Sequence, residues 1–269
     1  MLTPTELDRI RIVLVRARNP NNIGAAARAM HDFGLRHLRV VNEYPVPFES
    51  ARSAVDASEV LANAVACASL AQAVADCTLV VGTTAVGERD LQHPLLPLPQ
   101  AAPRILTELR RIADPPGRIA LLFGSEKTGL SNEELSHCNW LLTIPMQPSA
   151  EGQHHLSLNL GQAVAICLYE LARIPPPAIR PSEPIPAADS PAILAEPILP
   201  QPASAADQER LTTLLFETLE RSGYTRRHPA NTDPIHLRRL VRRMSLDTAD
   251  ATVWTGIFRQ LLFKLRRMD

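Results

Sequence analysis

The sequence is poor in the residues that form disulfide frameworks and zinc sites. Only four cysteines occur in 269 residues, and no two of them make a C-x-x-C pair. Structural zinc sites take closely spaced cysteine and histidine ligands, and disulfide frameworks need cysteines packed densely into a short chain. We therefore expect that no metal is required, and we predict free, buried thiols at Cys67, Cys77, Cys138 and Cys167.

Long apolar runs and a signal-like start are also lacking. The most hydrophobic window, residues 61–81, is rich in alanine and is interrupted by Asn63, Ser69, Gln72 and Asp76. This pattern is typical of a packed helix followed by a strand rather than a membrane span. Charged residues at positions 6, 8 and 9 stand where a secretory signal needs an apolar segment. We expect a cytoplasmic protein with no membrane contact.

The chain has no overall excess of one charge, because 28 Lys or Arg residues balance 28 Asp or Glu residues. The charges are nevertheless uneven, since residues 221–269 contain eleven Lys or Arg against four Asp or Glu. A basic tail of this kind is typical of a contact with RNA or DNA. A solvated helical surface is the simpler alternative.

The distribution of proline divides the chain. Ten of its 24 prolines fall between residues 175 and 202, in a stretch with no glycine. This composition is typical of an extended linker. We predict a first domain over residues 1–173, a Pro-rich linker over residues 174–204 and a basic helical extension over residues 205–269.

Strand-like and helix-like runs alternate before the linker. The strand-like runs are residues 11–15, 37–42, 78–84, 119–123 and 140–145, and the helical runs are residues 23–33, 55–75, 159–173 and a short run from residue 132. This alternation predicts an α/β fold with a mainly parallel sheet and helices on both faces. After the linker, leucines and aromatic residues at helical spacing predict three helices.

The middle helix of the tail has two contrasting faces. Leu237, Leu240, Val241 and Met244 share one face, and four arginines spread over the opposite arc. The pattern predicts one packed face and one exposed ridge of guanidinium groups, which bind phosphate bidentately. We assign RNA binding to this ridge, formed by Arg238, Arg239, Arg242 and Arg243.

Two of the segments that directly follow predicted strands contain polar residues at a helix start. Ligands of open α/β sheets bind outside the carboxyl ends of the strands. Residues 18–30 place asparagine at a helix start and Arg28 where it could hold a phosphate. An N-cap, a close helix contact and a surface arginine are the simpler alternative. Residues 156–163 place Ser157 and Asn159 before an amphipathic helix, where both could be plain caps.

A third segment, residues 123–131, has the glycine spacing of a phosphate-binding P-loop but not its chemistry. A P-loop needs lysine directly after its second glycine, and Leu130 stands there. No G-x-G-x-x-G follows the first strand either, so nucleotide hydrolysis and dinucleotide redox chemistry lose their main support. Gly124 would let a ligand approach the backbone closely, or it forms a plain turn before a helix capped by Ser131 or Asn132.

Together, the three segments resemble the motifs of the SPOUT class of RNA methyltransferases. The matching stretches are N-N-I-G-A-A-A-R-A-M, L-L-F-G-S-E-K-T-G-L-S and L-S-L-N-L-G-Q-A-V, in that order. The start R-I-V-L-V, the Pro-rich linker and the tail H-P-A-N-T-D-P-I-H-L-R-R-L are most similar to bacterial tRNA 2′-O-methyltransferases that act on cytidine or uridine at nucleotide 32. The resemblance spans residues 10–173 and, more loosely, residues 205–265.

The resemblance implies a C-terminal trefoil knot, a homodimer, tRNA as substrate and S-adenosyl-L-methionine as cofactor. It places the catalytic arginine at Arg28 and further catalytic motif residues at Glu126, Ser157 and Asn159. It also implies a cofactor pocket formed by residues after the strands, namely Thr83, Thr84, Ala85, Gly124, Ile144, Leu156, Ser157 and Leu158.

The chemistry of arginine favours one interpretation of Arg28. Because arginine keeps its proton at working pH, we interpret Arg28 as a clamp for the phosphate beside the target ribose rather than as a base. Two alternatives remain open, the same chemistry on another tRNA position or on ribosomal RNA, and a non-catalytic RNA-binding protein of the same fold. An enzyme for a small metabolite would leave the basic tail without a purpose.

Overall fold

A seven-stranded sheet forms the centre of the fold. The computed structural model describes residues 2–42, 57–85, 91–147, 157–174 and 200–267. The strands are β1 (Ile10–Val15), β2 (Leu38–Val41), β3 (Val65–Cys67), β4 (Leu79–Thr83), β5 (Leu95–Pro97), β6 (Ile119–Phe123) and β7 (Trp140–Thr143). All neighbouring strands are parallel, in the order β3-β2-β1-β6-β4-β7-β5.

Helices cover both faces of this sheet. Up to residue 174 they are α1 (Pro4–Leu7), α2 (Pro20–Asp32), α3 (Ser58–Ala62), α4 (Leu70–Val74), α5 (Leu98–Leu109), α6 (Asn132–Ser136) and α7 (Leu160–Arg173). Residues 175–199 of the predicted Pro-rich linker lie outside the described residues, so the linker stays a prediction. On one face α2, α5 and α7 bury Ile23, Leu106 and Leu168 against the strands. On the other face α4 and α6 bury Leu70 and Leu135. The predicted parallel sheet with helices on both faces is confirmed.

The predicted trefoil knot depends on the path of the chain between β7 and α7. Residues 148–156 of that path lie outside the described residues, so the knot stays a prediction. The sheet order places β6 between β1 and β4, and β7 between β4 and β5. The carboxyl ends of strands that are distant in sequence therefore lie side by side.

The single helix predicted over residues 55–75 is wrong, because a strand divides it. Residues 55 and 56 lie outside the described part, and α3 ends at Ala62. β3 then pairs with β2, and α4 begins after Ser69, whose side chain caps it. Alanine-rich sequence fits a helix or an edge strand, and the pairing partner decides between them. β5 and α5 were not predicted from the sequence.

The residues after position 200 form a helical unit that rests on the sheet domain. Its helices are α8 (Ala205–Arg221), α9 (Tyr224–Arg227), α10 (Pro234–Arg243) and α11 (Thr248–Leu265). The unit has a small core around Leu211 and Val241, with Phe258 packed against it. At its start, the backbone N–H of Ala205 donates to the Cys77 carbonyl at 2.8 Å. The three predicted helices are present, and α9 is an additional short one.

The structure shows the environment of the few cysteines and the apolar length of the helices. All four cysteines are buried and free, as predicted. Burial raises the pKa of the Cys77, Cys138 and Cys167 thiols to about 12, which keeps them protonated at neutral pH. Among the helices in the described ranges, none is both long and apolar enough to cross a membrane.

Helices α2 and α7 pack almost backbone to backbone. A Cβ atom added at Gly161 of α7 would lie 2.6 Å from the Cβ of Ala25 and 3.1 Å from its carbonyl carbon. The small residues of the first motif therefore make the close helix contact that the sequence allowed. Interiors this dense do not accept an extra methyl group without a shift of backbone.

We predict that Gly161→Ala lowers the free energy of unfolding by about 1–3 kcal/mol, because the new methyl group forces α2 and α7 apart. Urea denaturation followed by circular dichroism measures this change. The matched control is Gly256→Ala, since Gly256 lies within α11 and an added Cβ meets no atom within 4 Å. The control should gain about 0.5–1 kcal/mol from helix propensity. Equal effects of the two substitutions would contradict the close packing.

Candidate active site

The candidate site lies at the carboxyl ends of four neighbouring strands. In the sheet these strands stand in the order β1, β6, β4 and β7. Residues 16–28, 124–131, 83–85 and 144 lie at or directly after these strand ends, and they contain seven of the eleven catalytic and cofactor residues selected from the sequence. Ligands of open α/β sheets bind at this edge. The sheet therefore gathers distant motifs into one place.

A line of hydrogen bonds joins one residue from each of the three motifs. Asn159 Nδ2 donates to Asn22 Oδ1 at 3.0 Å, and Asn22 Nδ2 donates to Glu126 Oε1 at 2.7 Å. A carboxylate only accepts hydrogen bonds, so the line runs in one direction from Asn159 to Glu126. Asn22 is the central residue of this line, and the sequence analysis did not select it.

Asn159 also begins helix α7. Its Oδ1 accepts a hydrogen bond from the backbone N–H of Gly161 at 2.9 Å, and Gln162 Oε1 accepts one from the Asn159 backbone N–H at 3.2 Å. This reciprocal pair is a capping box, which fixes the side chain at the helix start. The capping role that the sequence allowed for Asn159 is confirmed. The cap leaves Nδ2 turned towards Asn22.

Gly124 is required by the chain's own loop. A Cβ atom at this position would lie 2.2 Å from the Gly129 carbonyl carbon and 2.3 Å from the Leu130 nitrogen. The loop turns back because the Gly129 N–H donates to the Ser125 carbonyl at 2.9 Å, with Gly129 at a φ of +64°. The loop backbone therefore approaches Gly124 closely. Ser131 then caps α6, as the sequence suggested.

Arg16 holds this loop in place, and the sequence analysis missed it. Arg16 directly follows β1 and has a φ of 55°. This left-handed conformation costs a non-glycine residue about 1–3 kcal/mol. Its Nε and Nη2 donate to the two carboxylate oxygens of Glu134 at 2.7 and 2.9 Å. Nη2 also donates to the Gly129 carbonyl at 2.9 Å. The pair spans 118 positions, so no local pattern reveals it.

The charge of Glu134 depends on these contacts. Burial alone would raise the pKa of its carboxyl group. Hydrogen bonds from Arg16 and Ser131 outweigh burial and hold that pKa below its ordinary value. Glu134 therefore stays ionised at neutral pH and keeps the loop after β6 attached to β1.

Arg28 lies on α2 with an exposed side chain. Among the described residues, no hydrogen bond or ion pair engages its guanidinium group. The same helix carries Asn22, whose side chain joins the other two motifs. An arginine without an internal partner on this helix is available to an external anion.

The residues expected around a cofactor differ in exposure. Thr83 uses its hydroxyl to donate to the Leu122 carbonyl at 2.9 Å, and it is partly buried. Thr84, Ile144 and Leu158 are partly buried as well, whereas Ala85 and Ser157 are exposed. Leu156 lies outside the described residues.

The predicted ridge of four exposed arginines on α10 is wrong for two of its members. Arg238 forms a bidentate ion pair with Glu209 of α8 at 2.9 Å and donates to Ser136 Oγ of α6 at 2.9 Å. Arg242 is only 4% exposed, and burial lowers the pKa of its guanidinium group to about 10. Both side chains face the protein instead of solvent.

The apolar face predicted for α10 is correspondingly displaced. Leu237 and Val241 are buried as expected, but Leu240 and Met244 are 40% and 42% exposed. Arg243 is exposed, and Arg239 is partly buried. The hydrophobic periodicity of α10 predicted the wrong exposed face because Glu209 and Ser136 supply polar partners on the packed side. These partners lie on other helices, so the sequence of α10 alone does not reveal them.

We predict that Arg16→Ala lowers the free energy of unfolding by about 1–3 kcal/mol at neutral pH, since charge-assisted hydrogen bonds to a partly buried carboxylate are lost. The stability from this pair is present above pH 4.5, the ordinary pKa of Glu134, and is lost as the pH falls through the lowered pKa. In urea denaturation across this pH range, the free energy of unfolding should fall less steeply with decreasing pH in the variant than in the wild type.

The control for Arg16→Ala is Arg36→Ala. The Arg36 side chain is 70% exposed and lies 3.8 Å from Glu59, so its loss should change stability by less than about 0.5 kcal/mol. If Arg16→Ala were as stable as the wild type, the loop would not depend on this ion pair.

Comparison with known proteins identifies a family that matches the part of the chain that contains these motifs. The SpoU rRNA methylase family matches residues 9–169. The TrmJ tRNA (cytidine/uridine-2′-O-)-methyltransferase of Pectobacterium atrosepticum is 35% identical over 254 residues, which cover 93% of this chain and 95% of that protein. An uncharacterised tRNA/rRNA methyltransferase of Haemophilus influenzae is 39% identical over 165 residues, or 61% of this chain and 63% of that protein, which is less than two thirds of its length.

A solved structure shows that the similarity extends to the fold of most of the chain. The crystal structure of TrmJ from Z. mobilis ZM4 has a TM-score of 0.71 and 29% sequence identity, and the match covers 93% of this chain and 98% of that one. The resemblance of the three motifs to those of RNA methyltransferases is thereby confirmed. The chain belongs to the SpoU rRNA methylase family.

Proposed function

We propose that this protein transfers a methyl group from S-adenosyl-L-methionine to the 2′-hydroxyl of a ribose in the tRNA anticodon loop, at nucleotide 32. The observation that carries the proposal is the hydrogen-bonded line from Asn159 through Asn22 to Glu126, which joins the three family motifs at the carboxyl edge of the sheet. The similarity to a protein named as a tRNA 2′-O-methyltransferase extends through the tail. This similarity supports tRNA as the substrate class.

The residues at this edge fit the cofactor by their chemistry. Ile144 and Leu158 offer partly buried apolar surface suited to an adenine ring, and Thr84 and Ser157 add hydroxyl groups nearby in the same strand-end loops. These residues, with Thr83, Ala85 and the loop that begins at Gly124, would hold the cofactor. When bound, S-adenosyl-L-methionine supplies an electrophilic methyl group, so the protein has to align a hydroxyl and favour loss of its proton.

Arg28 is the residue that we assign to the substrate. Its exposed guanidinium group is free to bind the phosphate beside the target ribose in a bidentate manner and to stabilise negative charge that develops on the 2′-oxygen. A guanidinium group keeps its proton at neutral pH and is a poor base, so the proton of the hydroxyl passes to water or to a phosphate oxygen. Ser157 orients the hydroxyl or the cofactor carboxylate, and Asn159, Asn22 and Glu126 position the surrounding loops.

We further propose that the protein acts as a cytoplasmic homodimer with residues 205–269 as a tRNA-binding extension. The dimer rests on the family resemblance, which places Arg28 of one subunit near the cofactor of the other. In the extension, Arg243 is the member of the predicted α10 ridge that remains exposed. Arg238 instead joins α10 to α6 and α8, and Arg242 is buried.

We predict that Arg28→Ala lowers methyl transfer to unmodified tRNA transcripts by about 100-fold or more, because a preorganised charge at the reacting centre is removed. Arg28→Lys should restore only a small part of the rate, since an ammonium group cannot make the forked contact. Transfer from radiolabelled S-adenosyl-L-methionine measures both variants.

The control for these variants is again Arg36→Ala, which removes an exposed arginine beyond the end of α2 and should transfer at the wild-type rate. Near-normal activity of Arg28→Lys would reject the clamp. Transfer to ribosomal RNA but not to tRNA would identify a different substrate, and cofactor binding without transfer to either RNA would favour a binding protein of the same fold.

A further inference from the structure

The inward position of two α10 arginines raises the question of which part of the basic tail meets RNA. Arg238 is paired with Glu209, and Arg242 is buried. Arg221 and Arg266 both pair with Glu217 at 3.0 and 2.9 Å. Four of the eleven Lys or Arg residues counted in the tail are therefore paired or buried within the helical unit.

A second basic surface lies on the short helix α9. We define the α9 patch as Tyr224, Arg226, Arg227 and His228, all of which are exposed. Within the described residues, no ion pair or hydrogen bond engages the Arg226 or Arg227 side chains. The segment from residue 221 to residue 232 contains no Asp or Glu. The patch therefore carries positive charge that no neighbouring side chain in this segment offsets.

The patch also presents an aromatic surface. The rings of Tyr224 and His228 lie with centroids 4.6 Å apart and an interplanar angle of 37°. The Tyr224 side chain keeps 37% of its surface exposed although tyrosine is largely apolar. An exposed aromatic pair beside unpaired arginines is the combination that binds nucleotide bases by stacking and their phosphates by charge.

The backbone of the patch is fixed before any ligand arrives. Gly223 precedes α9 at a φ of +74°, a left-handed conformation that ends α8. The His228 N–H donates to the Tyr224 carbonyl at 2.9 Å, and the buried Thr232 donates its hydroxyl to the Pro229 carbonyl at 3.1 Å. A preorganised surface loses little entropy on binding.

We propose that the α9 patch binds unpaired nucleotides of the RNA substrate, with Tyr224 stacking on a base and Arg226 and Arg227 contacting adjacent phosphates. Paired bases in an RNA helix are already stacked on each other, so a stacking surface favours loops over duplex. The inference rests on the proposed function for the identity of the RNA. It deepens that function because it assigns loop recognition to residues outside the predicted α10 ridge.

The test measures RNA binding without cofactor, by fluorescence anisotropy of the full chain with two labelled probes. One probe is the anticodon stem–loop, and the other is a fully paired RNA duplex of equal length. The wild type should bind the stem–loop more tightly. Tyr224→Ala should weaken stem–loop binding by about 5- to 100-fold and change duplex binding little, whereas Tyr224→Phe keeps the stacking ring and should bind like the wild type.

The arginines are tested by the salt dependence of the same binding. The double variant Arg226→Ala/Arg227→Ala should lower the slope of log Kd against log salt by about 1.4–1.8. Binding then makes two fewer phosphate contacts and releases fewer counterions from the RNA. Arg36→Ala serves as the control and should keep the wild-type slope. Circular dichroism confirms that the variants retain the helical unit.

The outcomes separate this proposal from the proposed function. Unchanged stem–loop binding in Tyr224→Ala and in the double arginine variant would overturn the proposal, even if the protein methylates tRNA. Equal weakening of stem–loop and duplex binding by Tyr224→Ala would overturn the recognition of unpaired bases. Loss of stem–loop binding in these variants would support the RNA-binding role of the α9 patch even if the wild type transferred no methyl group.

Discussion

The contact between α2 and α7 is the constraint on which the candidate site depends. Gly161 lets the two helices approach until its backbone lies against Ala25, and this closeness brings Asn159 within hydrogen-bond distance of Asn22. From Asn22 the line continues to Glu126 in the loop after β6. Arg28 stands on the same helix as Asn22, so the packing that joins the motifs also sets the place of the proposed substrate residue.

A second set of contacts connects this edge of the sheet to the helical unit. Arg16 binds Glu134, which lies in α6, and Ser136 of the same helix accepts a hydrogen bond from Arg238. Helix α6 therefore contacts Arg16 at the end of β1 through Glu134 and α10 through Ser136. Arg238 serves this attachment and Arg242 is buried, so the strongly basic helix α10 does not present all its charge to solvent.

The sequence predicted the parts of the fold whose signals are local. The buried strands of the parallel sheet, the capping asparagine at position 159 and the four buried thiols all follow from residue type and spacing. The helix predicted over residues 55–75 failed because pairing of β3 with β2 is a long-range effect. Arg16 and Asn22 were missed for the same reason, since their partners lie more than a hundred positions away in sequence.

The proposed activity is decided by the position of the transferred methyl group in an unmodified tRNA transcript. After incubation with labelled S-adenosyl-L-methionine, nuclease digestion and mass spectrometry locate the label. We expect a ribose 2′-O-methyl group at nucleotide 32 of the anticodon loop. Label on a base, or no transfer to any tRNA by a protein that binds the cofactor, would contradict it.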